Sequence, residues 1–560
     1  MSEAADVVVV GAGLAGLVVV DELLRHGKRV IVVDQENEAS FGGQAFWSFG
    51  GLFLVDSAQQ RRMGVRDSVD LAWGDWQRSA AWDRMDGVLA EDEWAAKWGR
   101  AFVEFAGGEM ASWISNRGIA LTPMVGWAER GSLSMSGHGN SVPRFHVAWG
   151  TGTGVIGPFA RRAQQAARDG RLRVRFRHRV DSLIVEDGVC HGVSGTLLAR
   201  DDQPRGVETT RETVGEFELR ASAVVVASGG IGGDHEKVRR WWPERLGQPP
   251  SEMITGVPAS VDGRMLDIVA AGGGRLVNRD RMWHYTEGVR NHDPIWPDHA
   301  IRILPGPSAL WLDALGRRLP IPALPGFDTL ETLRILRTDP ALVGHDHSWF
   351  IATRKIAAKE FALSGSEQNP DITGRKPLKV VASRLTGSMP SPLQAFLDRG
   401  EDFVQAECLD ELVRKMNDLT DVPLLDPRAV EAVVAERDRA MANPFGKDAQ
   451  VLAIHNARRY RGDRLARVTR PHRLVDAKAG PLIAVRLRTL TRKSLGGIQT
   501  DLEGRVRGQD GQPVPGLYAA GEAAGFGGGG AHGYNALEGT FLGGCLFTGL
   551  TVARSLQRGV

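Results

Sequence analysis

The stretch Ala5-Asp-Val-Val-Val-Val10-Gly11-Ala-Gly13-Leu-Ala-Gly16 decides how this chain begins to fold. Its β-branched run predicts a buried strand, and residues 17–26 predict a helix that ends at Gly27. A second apolar run, residues 29–33, predicts a parallel strand that is followed by Asp34. These segments form a βαβ unit with three glycines in the turn between its first strand and its helix.

The spacing of the three glycines indicates a site for the phosphates of a dinucleotide. Gly11 permits a tight turn, Gly13 lets the backbone approach a pyrophosphate, and Gly16 lets the helix pack against the strand. The helix N-terminus offers free N–H groups to the phosphates, and Asp34 is placed to accept hydrogen bonds from a ribose. The pattern alone fits FAD and NAD equally. The residues expected at this site are Gly11, Gly13, Leu14, Ala15, Gly16, Asp34 and Gln35.

Three further motifs narrow the choice of dinucleotide. They are Gly42-Gly43-Gln44 with Ser48-Phe-Gly50-Gly51, the run Ala223-Val-Val-Val-Ala227-Ser228-Gly229-Gly230, and Pro515-Gly-Leu-Tyr518-Ala-Ala-Gly521-Glu522. In these motifs the chain resembles the flavoprotein family of fumarate reductase, succinate dehydrogenase and L-aspartate oxidase, together with the 3-ketosteroid Δ1-dehydrogenases. The matching motifs extend from residue 5 to about residue 545.

The resemblance implies an α/β fold with a Rossmann-like FAD-binding domain that is discontinuous in sequence and carries an inserted α+β cap domain. We expect the first part of the FAD domain at 1–278, the cap or substrate domain at 279–460, and the second part of the FAD domain at 461–560. The first part includes a helical insert at 57–150. Nine of the 15 tryptophans lie between Trp47 and Trp149, either as packing side chains or as walls of an apolar pocket.

The resemblance also implies FAD as the cofactor. Family members that bind FAD covalently use a histidine near the first glycine runs, and no histidine lies between Gly42 and Ser57. We therefore expect noncovalent FAD. The family's motifs add these cofactor-binding residues: Gly42, Gly43, Gln44, Ser48, Gly50, Gly51, Val180, Ala227, Ser228, Gly229, Gly521 and Glu522.

The catalytic residues are predicted by comparing two branches of the family. Fumarate reductases carry a His-Gly-x-Asn-Arg motif, but here Ala536 stands in place of its carboxylate-binding arginine. The ketosteroid enzymes use tyrosines, one as the base and one that polarises the carbonyl together with a glycine N–H. This pattern favours Tyr534 and Gly539 for the carbonyl. It leaves Tyr285 and His284 as alternatives for proton transfer.

We therefore predict an FAD-dependent oxidoreductase of the CH–CH group next to a carbonyl, similar to 3-ketosteroid dehydrogenases and with an apolar substrate. A fumarate reductase-like enzyme for small unsaturated acids is one alternative. A flavin-binding electron-relay protein without a substrate of its own is another. In each case an external electron acceptor is expected.

Composition limits the partners and the location. The formal net charge of +2 over 560 residues gives no overall field for nucleic acid. The three cysteines are far apart, which argues against disulfides and a cysteine metal site, so no metal is expected. With no signal segment and no transmembrane run evident, we expect a cytoplasmic protein that can contact a membrane peripherally. Seven arginines at 458–473 indicate a salt-bridged surface or an anion site.

Overall fold

The first sheet carries the predicted βαβ unit. The structure is a computed structural model that describes residues 3–87, 90–134, 136–380 and 388–559. Strand Glu3–Val10 lies between Val30–Asp34 and Thr213–Val226 and is parallel to both. In the described residues this sheet has eight strands: Glu3–Val10, Val30–Asp34, Leu172–Phe176, His178–Glu186, Val189–Leu198, Thr213–Val226, Arg505–Arg507 and Pro513–Ala519.

Two helices from opposite ends of the chain pack together on this sheet. They are Leu14–Arg25, which follows the glycine turn, and the C-terminal helix Thr540–Gly559. Leu17 of the first helix and Leu556 of the second are fully buried in one apolar cluster. A Cβ atom on Gly16 would lie 2.2 Å from the carbonyl oxygen of Gly11. Glycine is therefore required here for the helix to approach the strand.

A second sheet forms the centre of the predicted cap. Its strands are Ile254–Thr255, Met282–Arg290, Ala300–Leu304, Leu310–Leu312, His347–Thr353, Ala362–Leu363, Phe403–Ala406 and Leu482–Ser494. The long strand Leu482–Ser494 pairs with Met282–Arg290 and with His347–Thr353, although the expected boundary at residue 460 assigns it to the FAD domain. The domain division stays a prediction, and this pairing argues for a later boundary.

The tryptophan-rich insert packs against the C-terminal segment. Its small sheet has the strands Gly51–Phe53, Leu121–Gly126 and Phe145–Ala148. The indole N–H of Trp76 donates to the carbonyl of Ala531 at 2.8 Å, and that of Trp98 donates to the carbonyl of Asp501 at 2.9 Å. Both side chains are buried, so these tryptophans fill an interface inside the chain. The helices here are Ala58–Arg62, Val69–Ala80, Glu93–Gly107, Met110–Asn116 and Thr151–Arg168.

The remaining helices flank the two large sheets. Two of them, His235–Arg240 and Arg264–Ala271, lie in sequence between strand Thr213–Val226 of the first sheet and the cap. The cap contributes Thr329–Thr338, Arg354–Glu360, Pro370–Thr373, Ser391–Arg399, Leu409–Asn417, Pro427–Ala442, Ala449–Ala457 and Arg461–Ala466. A short antiparallel pair, Leu276–Val277 with Gly497–Ile498, completes the strands. Over the described ranges, no helix combines the length and the apolar character that crossing a bilayer requires.

Candidate functional site

A deep cleft opens at the carboxyl ends of the parallel strands in the first sheet. Its volume, counted out to the open mouth, is about 1630 Å³. The ends of strands Glu3–Val10, Val30–Asp34 and Thr213–Val226 form its floor, and Trp296, Arg492 and Lys493 of the cap region reach its wall. Open α/β sheets bind ligands at this edge. The cleft is therefore the candidate site.

The glycine turn is shaped for close approach by a ligand. Gly11 has a φ of +103°, and a Cβ atom there would lie 2.6 Å from the carbonyl oxygen of Ala227. Helix Leu14–Arg25 begins directly after Gly13, so its free N–H groups face the cleft. The backbone at this turn is thus bare and carries the positive end of the helix dipole.

Asp34 supports the turn from the neighbouring strand. Its carboxylate accepts hydrogen bonds from the backbone N–H groups of Ala12 at 2.8 Å and Glu36 at 2.9 Å. Burial raises the pKa of Asp34 to about 6. A carboxylate oxygen has a second lone pair, so Asp34 can hold the turn and still accept from a ribose hydroxyl.

Glu522 joins the C-terminal segment to the first glycine runs. Its carboxylate accepts from the Gln44 amide at 2.7 Å and from the backbone N–H of Ser494 at 2.8 Å. Burial raises the pKa of Glu522. A Cβ atom on Gly230 would lie 2.3 Å from a Glu522 oxygen, so only glycine leaves room for this arrangement. Residues that lie far apart in sequence are thereby fixed on one side of the cleft.

Most of the predicted cofactor residues lie together on the cleft wall. Gly16, Gly42, Gly50 and Gly51 do not line it. At Gly51 an added Cβ would lie 2.0 Å from the Phe145 ring, so this glycine is needed for packing. The predicted residues that line the cleft are Gly11, Gly13, Leu14, Ala15, Asp34, Gln35, Gly43, Gln44, Ser48, Val180, Ala227, Ser228, Gly229, Gly521 and Glu522. Their contact with a cofactor stays a prediction.

Tyr285 and His284 lie behind the cleft wall. Tyr285 is buried in an apolar cluster that includes Phe526 and Phe541, and these two side chains do line the cleft. The Arg302 guanidinium lies 3.8 Å from the centre of the Tyr285 ring. Burial raises the pKa of the Tyr285 hydroxyl well above its usual value. Tyr285 therefore shares a cluster with cleft-lining side chains but does not itself line the cleft.

His284 contacts a different part of the protein from its neighbour. Its ring lies 4.7 Å from that of Trp242. Burial lowers the pKa of His284 to about 3, so the ring is neutral at ordinary pH. Its Nδ1 is buried without a hydrogen-bond partner among the described residues.

Tyr534 and Gly539 are held by contacts within the chain. The Tyr534 hydroxyl donates to the Asp83 carboxylate at 3.0 Å, and the Arg281 guanidinium lies 4.0 Å from the ring centre. The carbonyl of Gly539 accepts from the backbone N–H of Phe53 at 2.9 Å. Within the described part of the chain, none of the four predicted catalytic residues lines the cleft. Their roles stay predictions.

A buried group of charges surrounds Arg302 beneath Tyr285. Its guanidinium lies 3.0 Å from Glu129 and 3.4 Å from Glu287, and it also contacts Glu538. Burial raises the pKa of Glu129 well above its usual range, while Arg302 opposes the rise. Arg302 therefore lies among three carboxylates in the interior of the protein.

The cleft also contains residues that sequence reasoning did not select. The main ones are Trp47 and Trp296, with rings 5.5 Å apart in an edge-to-face arrangement, and the cations Arg492 and Lys493. Phe541, Leu542 and Cys545 from the C-terminal helix complete this end. No motif marks these positions, because their exposure to the cleft follows from how the cap strands lie on the first sheet.

Comparison with known proteins agrees with this geometry. Residues 6–542 match the profile of a family described as FAD binding domain. The chain is 58% identical over 552 residues to a protein named KsdD-like steroid dehydrogenase from Mycobacterium tuberculosis (strain ATCC 25618 / H37Rv), covering 98% of this chain and 95% of the relative.

Two solved structures share the fold. One is the 3-ketosteroid Δ1-dehydrogenase of Sterolibacterium denitrificans in complex with 1,4-androstadiene-3,17-dione, with a TM-score of 0.65, 15% identity and full coverage of both chains. The other is the open conformation of a flavocytochrome c3 fumarate reductase, with a TM-score of 0.62, 18% identity and coverage of 100% of this chain and 78% of the other. The fold alone therefore does not separate the two activities.

Proposed function

We propose, from the premise that this chain belongs to the FAD binding domain family, that it is a dehydrogenase of the CH–CH bond next to the ketone of a steroid-like substrate. The chain is an FAD-dependent oxidoreductase. The observation that carries the substrate class is the 58% identity, over nearly the whole chain, to a protein named a KsdD-like steroid dehydrogenase.

The residues of the cleft fit FAD. Gly11 and Gly43 expose bare backbone on the cleft wall, where an added Cβ atom would meet Ala227 and Gly13, respectively. Several buried polar atoms on the wall lack hydrogen-bond partners among the described residues, and a ligand with phosphates and ring oxygens would supply them. These atoms are Ser228 Oγ, Arg205 Nη1 and Arg211 Nη1. When bound, FAD supplies the acceptor for a hydride. Noncovalent attachment stays part of the proposal.

The chain's own residues divide between positioning and proton transfer. The N-terminus of helix Leu14–Arg25 holds the diphosphate end, and Glu522 and Gln44 hold the chain that follows it. The rings of Trp47 and Trp296 provide an apolar wall for the substrate. Tyr285 is favoured over His284 for proton transfer, because it belongs to the apolar cluster that contains the cleft-lining Phe526 and Phe541, whereas the His284 ring lies against Trp242 at the edge of that cluster.

The alternative of a small-acid reductase has less support. Ala536 is buried in the same apolar cluster as Tyr285. A carboxylate clamp would need a guanidinium at that position.

Replacing Tyr285 tests the proposal. We expect Tyr285→Phe to lower kcat by about 10²- to 10⁴-fold with 3-ketosteroids and an artificial electron acceptor, since a proton-transfer group would be lost. The variant should keep its FAD. Tyr460→Phe should keep its kcat, because the half-buried Tyr460 hydroxyl donates to the carbonyl of Val125 and Tyr460 does not line the cleft. Wild-type kcat in Tyr285→Phe would contradict the assignment. Absence of turnover by the wild type would contradict the substrate class.

The proposal also covers the electron acceptor, the cellular location and contact with a membrane. An external electron acceptor reoxidises the flavin. The protein works in the cytoplasm, in keeping with three cysteines that are all free. Peripheral membrane contact is supported by exposed arginines at 459, 461, 464, 470 and 473 beside exposed Leu452 and Leu465.

A further inference from the structure

The longest strand of the cap sheet, Leu482–Ser494, contains a β-bulge. Trp283 is paired with Lys493, but the next residue, His284, is paired with Thr491. Arg492 is therefore the extra residue on its strand. Successive side chains of a regular strand point to opposite faces, and a bulge re-aims one of them. As a result, Arg492 and Lys493 both line the cleft.

Neither cation is neutralised by a direct contact. Arg492 is only 8% exposed, and among the residues described neither side chain has a hydrogen bond or an ion pair. Lys493 Nζ lies 4.8 Å from the centre of the Phe541 ring. The carboxylates of Glu522 and Glu538 act on Lys493 through space and raise its pKa, but the hydrogen bonds that Glu522 accepts come from Gln44 and Ser494. Unpaired cations at a water-poor wall are costly unless a ligand brings negative charge.

The position of the pair within the cleft indicates which ligand it serves. The phosphates have a separate site at the glycine turn and at the N-terminus of helix Leu14–Arg25. The pair lies instead with Trp296 and Phe541, at the end where the cap meets the first sheet. Arg492 is also close enough to affect the pKa values of the cap residues His299 and Glu367. The pair thus faces the region between cofactor and cap.

We propose that Arg492 and Lys493 form an oxyanion site for the carbonyl oxygen of the substrate. This inference rests on the proposed function and names the groups that stabilise its developing charge. When a base takes the proton from the carbon α to the ketone, the electron pair left behind places negative charge on that oxygen. The charge is discharged when the hydride leaves the β carbon for the cofactor, and the carbon–carbon double bond forms.

The two residues predicted from sequence to polarise the carbonyl do not line the cleft, which leaves this role to Arg492 and Lys493. Tyr534, predicted to polarise the carbonyl, donates a hydrogen bond to Asp83. Neither Tyr534 nor Gly539 lines the cleft. Burial lowers the pKa of Lys493 to about 7, so an anionic ligand that binds the ammonium form raises this pKa and binds more tightly below pH 7 than above it. Charged donors in a site shielded from water stabilise such an oxygen strongly.

Phenols test the site without any steroid turnover, because a phenolate carries the negative oxygen of an enolate. We expect para-cyanophenol to bind the FAD-loaded wild type as its phenolate, with a long-wavelength charge-transfer band. Lys493→Met and Arg492→Met should each raise the Kd by about ten- to hundredfold, the range expected for a lost charged hydrogen bond. Lys493→Arg should restore most of the affinity. The exposed Lys447→Met is the matched control and should leave the Kd unchanged.

Three results would overturn the proposal. One is failure of the phenol to bind the wild type. A second is unchanged affinity in both Met variants with full FAD content. The third is a lower flavin midpoint potential with unchanged phenolate affinity, which would assign the pair to the cofactor alone. If ketosteroids are not turned over but phenolate binding depends on Lys493, the anion site is supported and only the substrate class fails.

Discussion

Burying the Lys493 ammonium group lowers the free energy of unfolding of the protein. Burial lowers the pKa of Lys493 to about 7, with the neighbouring Arg492 adding to the shift, whereas a lysine in an unfolded chain titrates near about 10.4. Below pH 7 both states are protonated, and folding bears the full cost of burying the ammonium. Between these values only the unfolded chain binds the proton, so the cost declines as the pH rises.

The lowered pKa of Lys493 predicts how the effect of replacing this residue on stability depends on pH. Lys493→Met in the FAD-free protein should raise Tm, with the largest gain at or below about pH 7 and a smaller gain near about pH 9. Scanning calorimetry of both proteins at the two pH values measures the difference. Lys447→Met, at an exposed site, should show no such dependence on pH. An equal gain at both pH values would show that the ammonium is not buried.

Single residues also show what sequence alone could predict. Gly11, Asp34 and Glu522 were predictable because each belongs to a local motif whose physical demands are fixed, and the structure places them on one cleft. In sequence, Arg492 and Lys493 resemble an ordinary pair of basic surface residues, because the neighbouring residues predict neither their burial nor the β-bulge. Tyr534 sits in a recognisable motif, but its partner Asp83 lies in the insert, far away in sequence.

At the scale of elements, the first and last helices are in close contact beside the cleft. An added Cβ on Gly549 would lie 2.7 Å from the carbonyl oxygen of Ala15 and 3.1 Å from the Val18 Cβ. Ala15 lines the cleft. A change in the last helix should therefore reach the glycine turn that lines the cleft.

Gly549→Ala tests this contact. Alanine in an open helix is favoured over glycine by about 1 kcal/mol, but here the backbone oxygen must move. Overpacking of this kind costs about 1–3 kcal/mol. We expect a lower Tm and faster loss of FAD on dilution. In Gly74→Ala, on helix Val69–Ala80, the new methyl group meets only the end of the Arg78 side chain, and Tm should be unchanged or higher. Equal behaviour of the two variants would contradict the tight contact.

Elements differ in how well periodicity predicts them. The strand predicted at 5–10 is observed as Glu3–Val10, and the helix predicted at 17–26 is observed as Leu14–Arg25. Both have strong apolar patterns. The apolar run that begins at Ala223 is only the end of a longer strand, Thr213–Val226, whose first half alternates polar residues on an open face and gives no buried run. Strand Leu482–Ser494 joined the cap sheet because pairing, not local pattern, decides which sheet a strand enters.

In the whole molecule, the cleft depends on two sheets that meet across long sequence separations. The first sheet supplies the glycine turn and Asp34, while the cap sheet supplies Arg492 and Lys493. The Glu522 carboxylate, bonded to Gln44 and Ser494, fixes the segments that carry both halves. We infer that the cofactor lies along the first sheet and that the substrate lies between it and the cap.

One measurement tests this account most directly: anaerobic mixing of the FAD-loaded protein with a saturated 3-ketosteroid, followed by the flavin absorption and analysis of the product. The account predicts that the oxidised-flavin absorption bleaches as one carbon–carbon double bond per flavin forms next to the ketone. A flavin that stays oxidised in the presence of the bound steroid, or a protein that holds no FAD, would contradict it.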